Sequence, residues 1–122
     1  MKTVMVVSAD RAYHDLFATA LALQGYRVLR ATDGQDALAL LLSERPALVL
    51  LQHPVRVGES TLTATIRATP EIARTPILSI SPRAVSSEMA AAIVDGADIN
   101  LVMPVPPLRL VQEVRRLIGG PG

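Results

Sequence analysis

The sequence predicts an α/β fold, in which a parallel five-stranded sheet has helices on both faces. Strand-like and helix-like segments alternate five times along the 122 residues, the pattern of βαβ units with right-handed crossovers. Residues 48–51 form an unbroken apolar run, as expected for a central strand buried on both faces. The length fits one domain, which we place at residues 1–118, with a flexible tail or the start of a linker at residues 119–122.

Each strand is predicted from a short apolar or β-branched run, and each helix from apolar residues at helical spacing between capping and breaking residues. The predicted strands are residues 3–7, 26–31, 48–51, 77–80 and 99–103. The predicted helices are residues 12–24, 35–43, 60–68, 85–94 and 108–118. Asp10 and Asp33 stand where helix N-caps are expected. Five strands linked in this way suit a doubly wound (βα)5 three-layer sandwich with the flavodoxin-like strand order 2-1-3-4-5.

Apolar spacing also predicts which side of two helices faces the core. Residues that recur every three or four positions share one face of a helix, and an apolar face is normally buried. The residues expected to face the core are Leu16, Ala20 and Leu23 in the first helix and Leu108, Val111, Val114 and Ile118 in the last.

Composition argues against several classes of protein. No uninterrupted apolar run approaches the roughly 18 residues of a membrane-spanning helix. The absence of cysteine excludes disulfides and thiolate metal sites and fits a cytoplasmic location. The net charge is +1, the charges are interspersed and aromatic residues are few, so the sequence indicates neither a nucleic-acid-binding surface nor a membrane-binding one.

The predicted central strand ends at a neutral amide, Gln52, which is followed by His53. Ligands in open α/β sheets bind just beyond the carboxyl ends of the central strands, so Gln52 occupies a position where a functional side chain is expected. His14 is the other histidine of the chain. Two histidines without cysteine do not make a convincing metal cluster, and we expect His53 to lie in a solvated loop.

Several segments resemble the receiver domain of bacterial response regulators, the CheY-like family. Together they extend from about residue 4 to residue 118, and the Gly-Ala-Asp before the fifth strand with a proline after it is the most specific combination. The segments are Gly25-Tyr26-Arg27-Val28, Ala31-Thr32-Asp33-Gly34-Gln35-Asp36-Ala37-Leu38, Arg45-Pro46-Ala47-Leu48-Val49-Leu50-Leu51, Pro76-Ile77-Leu78, Gly96-Ala97-Asp98 and Val102-Met103-Pro104.

The resemblance implies a phosphoryl-accepting site, but this chain departs from it. Receivers carry an acceptor aspartate after the third strand, a Mg²⁺-binding acidic pair after the first, a Ser or Thr after the fourth and a lysine after the fifth. The resemblance places Gln52 at the acceptor position, Ser8 and Ala9 at the acidic pair, Ser81 at the hydroxyl position and Met103 at the lysine position. It also implies a cis peptide bond before Pro104 and places Asn100 at the position of an aromatic residue that reports phosphorylation.

These departures remove the chemistry that the family performs. A carboxamide is not an anionic oxygen nucleophile, Mg²⁺ prefers carboxylate oxygens, and Met103 cannot balance the charge of a phosphoryl group. We therefore expect no Mg²⁺ or other cofactor, no metal site, no catalytic residue and no enzymatic activity. Asp10 is expected to cap the first helix, Ser81 to satisfy a loop N–H group, and Asn100 to form hydrogen bonds at the surface.

The leading hypothesis is a degenerate pseudo-receiver that acts in bacterial two-component or phosphorelay signalling as a phosphorylation-independent protein-interaction module. The resemblance implies that the fourth helix, fifth strand and fifth helix bind a partner protein or a second copy, as in a homodimer; a plain solvated helix pair is equally compatible with the sequence. The residues of this candidate interaction face are Val85, Glu88, Met89, Ala92, Asn100, Arg109, Glu113 and Arg116.

Two other functions remain open. One is a small-ligand sensor that uses the altered pocket formed by Ser8, Gln52, Ser81 and Met103. The other is a conventional phospho-receiver with a relocated acceptor, for which Asp10 is the candidate.

Overall fold

The computed structural model describes residues 1–53, 55–82 and 96–122. Its main sheet contains five parallel strands, and a two-stranded antiparallel ribbon follows the third of them. The strands are β1 (Thr3–Val7), β2 (Arg27–Ala31), β3 (Leu48–Gln52), β4 (Arg56–Val57), β5 (Ser60–Thr61), β6 (Ile77–Ser81) and β7 (Ile99–Val102). The helices are α1 (Arg11–Leu23), α2 (Gly34–Glu44), α3 (Leu62–Ala68) and the C-terminal helix (Pro107–Ile118).

The strand order of the main sheet is β2-β1-β3-β6-β7, with β3 in the centre and β2 at an edge. This is the predicted order 2-1-3-4-5, so the flavodoxin-like fold class is confirmed. The order reverses between β1 and β3, which are hydrogen-bonded neighbours with Val7 paired to Leu51. Such a reversal creates the crevice in which doubly wound proteins place their functional groups.

Two hydrophobic clusters lie on the two faces of the sheet, because alternate side chains of each strand point in opposite directions. One cluster joins Val4, Val6, Leu48 and Leu50 to Phe17 and Leu21 of α1 and to Leu110 and Val114 of the C-terminal helix. The other joins Met5, Val7, Val49 and Leu51 to Ala37 and Leu41 of α2 and to Leu62 and Ile66 of α3. The central strands are therefore covered on both sides, as the apolar run of β3 predicts.

The predicted core-facing residues of two helices are partly wrong. In α1, Leu23 is 80% exposed and Leu16 is 43% exposed, whereas Phe17 and Leu21 are buried. The buried face of α1 also includes His14 and Ala18, which an apolar periodicity count does not single out. In the C-terminal helix, Val111 and Val114 are buried as predicted, but Leu108 is 69% exposed and Leu110 takes its place.

The segment after β3 also differs from the prediction. The sequence predicts no strand between residues 52 and 59 and a helix over residues 60–68, but Arg56–Val57 pairs with Ser60–Thr61. The helix α3 begins at Leu62, and the hydroxyl group of Thr61 caps it by accepting a hydrogen bond from the N–H group of Ala64. Gly34 makes room for this ribbon, because a Cβ atom there would collide with the carbonyl oxygen of Arg56. The predicted helix at residues 85–94 lies outside the described residues.

The C-terminal residues contact the start of the sheet. The backbone N–H of Lys2 donates to the carbonyl oxygen of Pro121 at 2.6 Å, and the Tyr26 hydroxyl donates to that of Gly119 at 2.6 Å. The Lys2 ammonium group donates to the carbonyl oxygen of Ile118. None of the helices in the described part of the chain has the length and apolar character needed to cross a membrane.

Arg67 joins α3 to two separate segments, residues 73–75 and 96–98, through its guanidinium group. It donates hydrogen bonds to the carbonyl oxygens of Ala73, Thr75 and Gly96 at 2.7–2.8 Å and pairs with the Asp98 carboxylate at 2.9 Å. The same carboxylate oxygen accepts the N–H group of Ile77 at 2.8 Å, where β6 begins. This network gives a physical reason for the Gly-Ala-Asp segment before β7.

We expect Arg67→Lys to lower the free energy of unfolding by about 2–3 kcal/mol, because an ammonium group cannot replace the planar fork of donors that satisfies several carbonyl groups. Urea unfolding measures the change. Arg74→Lys is the matched control, since Arg74 is an exposed arginine in the neighbouring loop. Equal unfolding midpoints for the two variants would contradict the role of Arg67.

Candidate functional site

Ser8 and Gln52 meet at the carboxyl ends of β1 and β3. The Ser8 hydroxyl donates a hydrogen bond to Oε1 of Gln52 at 2.6 Å, and its oxygen accepts one from the N–H group of Asp10 at 3.1 Å. Ser8 is 1% exposed, so the pair is largely sheltered from water. The contact joins two residue positions that the resemblance assigns to the acceptor and the acidic pair, and both side chains are uncharged.

Asp10 and His14 order the loop between β1 and α1. Oδ1 of Asp10 accepts hydrogen bonds from the N–H groups of Ala12 and Tyr13 at 3.1 and 3.2 Å, which confirms that Asp10 is the N-cap of α1. Nδ1 of the buried His14 lies 3.0 Å from the carbonyl oxygen of Ser8 and is placed to donate to it. The loop therefore presents Ser8 to Gln52 in a fixed orientation.

A second polar cluster links β6 to β7. Oδ1 of Asn100 accepts hydrogen bonds from the hydroxyl groups of Ser79 at 2.7 Å and Ser81 at 2.9 Å. Ser81 bonds to Asn100 on the neighbouring strand, and the loop N–H groups of residues 83–95 lie outside the described residues. Asn100 is exposed and forms hydrogen bonds, as expected, and its partners are two buried serines of the sheet. Sequence analysis missed Ser79, although the alternation Ser79-Ile80-Ser81 places both hydroxyl groups on one face of a strand.

A cavity of about 380 Å³ opens at the end of β3, beside Gln52. Its described lining residues are Tyr13, Gln52, Pro82, Met103 and Pro104. The Met103–Pro104 peptide bond is cis, as the resemblance implies. Met103 packs against the hydrophobic cluster between α1 and the C-terminal helix, where an apolar thioether is stable and an ammonium group would need a partner. Tyr13, which sequence analysis did not single out, stacks on Phe17 with ring centroids 5.8 Å apart.

The candidate interaction face is described only in part, because Val85, Glu88, Met89 and Ala92 lie outside the described residues. On the C-terminal helix, Glu113 forms ion pairs with Arg109 and Arg116, each at 3.4 Å. The Glu113 side chain is only 11% exposed, whereas the Arg109 and Arg116 side chains are 57% and 74% exposed. The helix therefore presents two arginines to solvent around one sheltered carboxylate.

Known proteins similar to this chain are response regulators. It is 33% identical over 116 residues to the response regulator MprA of Mycolicibacterium vanbaalenii, covering 94% of this chain and 49% of the relative. The chemotaxis response regulator CheY4 of Vibrio cholerae superposes with a TM-score of 0.80 and 26% identity, over 96% of this chain and 98% of that one. Homologues and structural neighbours support a CheY-like response-regulator receiver domain.

Two further findings concern the extent of this similarity. A response regulator from Desulfuromonas acetoxidans superposes with a TM-score of 0.84 over 95% of both chains, and its 20% identity supports the fold alone. No protein-family model matches the sequence. The chain spans about half the length of the curated relatives that it matches.

The residues at the ends of β1 and β3 do not fit Mg²⁺, which receivers of the ordinary kind bind at this place. Mg²⁺ prefers near-octahedral oxygen ligands that include carboxylates. Ser8 and Gln52 are neutral and bonded to each other, and the nearby Asp10 carboxylate caps α1. Within residues 1–53, 55–82 and 96–122, no group of three or more His, Cys, Asp or Glu side chains is arranged to hold a metal ion.

His53 is buried, so the expectation of a solvated loop histidine was wrong. It is 7% exposed, and its N–H group donates to the carbonyl oxygen of Ile80 at 2.8 Å, which extends the contact between β3 and β6 by one residue. Nε2 of His53 is buried and has no hydrogen-bond partner among the described residues. Burial lowers the pKa of His53 below its ordinary value of 6.5, because the charged imidazolium loses hydration.

We expect the protein to lose stability as the pH falls below about 6.5, because the unfolded chain then binds a proton at His53 that the folded chain does not bind. The His53→Leu variant should have a smaller dependence of unfolding free energy on pH between about pH 7 and pH 5.5. Urea unfolding across this range measures the slope. The same slope in both proteins would show that His53 does not cause the acid sensitivity.

Proposed function

We propose that this receiver is a degenerate pseudo-receiver that acts without phosphorylation, as a protein-interaction module of a bacterial two-component or related signalling pathway in the cytoplasm. The relatives are named response regulators, which supports the signalling context. The observation that supports the proposal most strongly is that a neutral amide, that of Gln52, occupies the acceptor position. This amide accepts a hydrogen bond of 2.6 Å from the Ser8 hydroxyl. The proposal gives the domain no catalytic activity and no cofactor.

The chemistry of Gln52 supports this proposal. Acyl phosphate formation requires a carboxylate oxygen that attacks phosphorus, and the amide nitrogen of glutamine is a poor nucleophile because its lone pair is delocalised. The departing and transferred groups also need positive charge to stabilise them in the transition state. Ser8, Ala9 and Met103 supply no charge of either sign, so nucleophile, metal ligands and counter-charge are all replaced. Asp10, the alternative acceptor, has its Oδ1 engaged by two backbone N–H groups.

The hydrogen bonds of the Asn100 side chain support a domain that keeps one conformation. In the family that this chain resembles, an aromatic residue at this position reports phosphorylation. Here Asn100 accepts hydrogen bonds from both Ser79 and Ser81, so its amide is held by the sheet itself. A partner would then meet the same surface at all times.

The partner surface that we propose includes the C-terminal helix and the edge strand β7. Val102 and Leu108 are 51% and 69% exposed there, and Arg109 and Arg116 present their guanidinium groups nearby. Exposed apolar residues flanked by arginine are typical of protein-binding surfaces. The partner is another signalling protein or a second copy of this domain.

Incubation with acetyl phosphate and Mg²⁺, followed by intact-mass measurement, tests the proposal. We expect no added phosphoryl group, because no carboxylate is present at the acceptor position. An ordinary receiver that contains the acceptor aspartate is treated in parallel and should gain one phosphoryl group.

Hydroxylamine treatment identifies the linkage if mass is added, since it cleaves acyl phosphates. A hydroxylamine-sensitive phosphoryl group on this chain, at Asp10 or at any other carboxylate, would overturn phosphorylation independence and restore a conventional receiver with a relocated acceptor.

A further inference from the structure

We propose that the cavity beside Gln52 binds a small uncharged molecule that carries a hydrogen-bond acceptor, such as a carbonyl group. This goes beyond the proposed function, because a receiver that is never phosphorylated need not bind any ligand. The cavity volume of about 380 Å³ lies within the range of small-molecule sites.

The orientation of the Gln52 amide provides the polar contact. The Ser8 hydroxyl faces two acceptors, Oε1 of Gln52 at 2.6 Å and the carbonyl oxygen of Asp10 at 3.2 Å, and the much shorter contact assigns its hydrogen to Gln52. The carbonyl end of the Gln52 amide is therefore occupied, and its NH₂ end has no partner within the described part of the chain. This NH₂ group belongs to a cavity-lining residue and is a donor in need of an acceptor.

The uncharged residues that line the cavity disfavour the binding of ions. Its described members are two prolines, Tyr13, Gln52 and Met103, so none carries a charge at neutral pH. An anion would lose hydration at this site without gaining the ammonium group that Met103 replaces, and a cation would find no carboxylate among the described lining residues. An uncharged molecule avoids both penalties, which is why the proposed ligand class is neutral.

Tyr13 gives the cavity a preorganised aromatic wall. Its ring is stacked on the buried ring of Phe17, and its backbone N–H group is held by the Asp10 carboxylate. Met103 and Pro104 supply further apolar wall, and their backbone turn contains the cis peptide bond. A planar ligand could pack on the Tyr13 ring while its carbonyl oxygen accepts a hydrogen bond from Gln52.

Benzamide and benzoate are suitable probes, because they share one shape and differ in charge. The chain has four methionines, so a spectrum of the protein with ¹³C-labelled methionine methyl groups contains four signals. The Met103 signal is assigned with Met103→Leu, and the fully buried Met5 is the internal reference. We expect benzamide to shift the Met103 signal saturably, to leave the Met5 signal unchanged, and to bind at least about tenfold more tightly than benzoate.

Two variants test the contacts. Gln52→Glu keeps the side-chain shape but removes the donor, so the affinity for benzamide should fall at least about fivefold, the equivalent of one neutral hydrogen bond. Met103→Lys places an ammonium group in the cavity and should reverse the preference toward benzoate, as read from saturation transfer to the two ligands. The reference signal of Met5 reports whether each variant is folded.

The proposal is overturned if benzamide leaves the Met103 signal of the wild-type protein unchanged. It is also overturned if benzoate binds as tightly as benzamide, or if folded Met103→Lys keeps the wild-type preference. These outcomes leave phosphorylation independence untouched, because acetyl phosphate labelling measures that property separately.

Discussion

The hydrogen bond from Ser8 to Gln52 is the contact on which the proposed function depends. It joins β1 and β3 at the point where the strand order reverses, so it lies in the crevice that doubly wound proteins use for chemistry. Its net contribution to stability is modest, about 1 kcal/mol for a neutral pair. Its chemical consequence is larger, because two uncharged groups satisfy each other where a receiver of the ordinary kind gathers carboxylates and a cation.

The absence of charge on Ser8 and Gln52 also affects the residues around this crevice. Several carboxylates placed close together repel one another and need a bound cation to offset the repulsion, whereas Ser8 and Gln52 need none. The Asp10 carboxylate is left to cap α1, and Met103 can pack among apolar side chains because no phosphoryl charge has to be balanced. Across the sheet, Asn100 is held by two serine hydroxyl groups in place of a rotating aromatic ring. The described residues that line the cavity beside Gln52 are uncharged, which suits the neutral ligand that we propose.

The strands and their order could be predicted from the sequence because buried parallel strands form short apolar runs that few other structures share. Helix faces were harder, because alanine-rich helices carry apolar residues on both sides; Leu23 was therefore expected inside, while His14 occupies the buried face of α1. The position of Gln52 was predictable from the end of an apolar run, but its contact with Ser8 needed the register of β1 against β3. His53 was assigned to a loop because the sequence does not show that its N–H group bonds to the neighbouring strand.

The central claim is that the crevice between β1 and β3 is stable without a cation because its groups are neutral. Thermal unfolding in Mg²⁺ and in a chelator, for the wild-type protein and for a triple variant with Ser8→Asp, Ala9→Asp and Gln52→Asp, tests this claim most directly. The account predicts one unfolding temperature for the wild-type protein in both conditions and a rise with Mg²⁺ only in the triple variant. A rise with Mg²⁺ in the wild-type protein as large as that in the triple variant would contradict it.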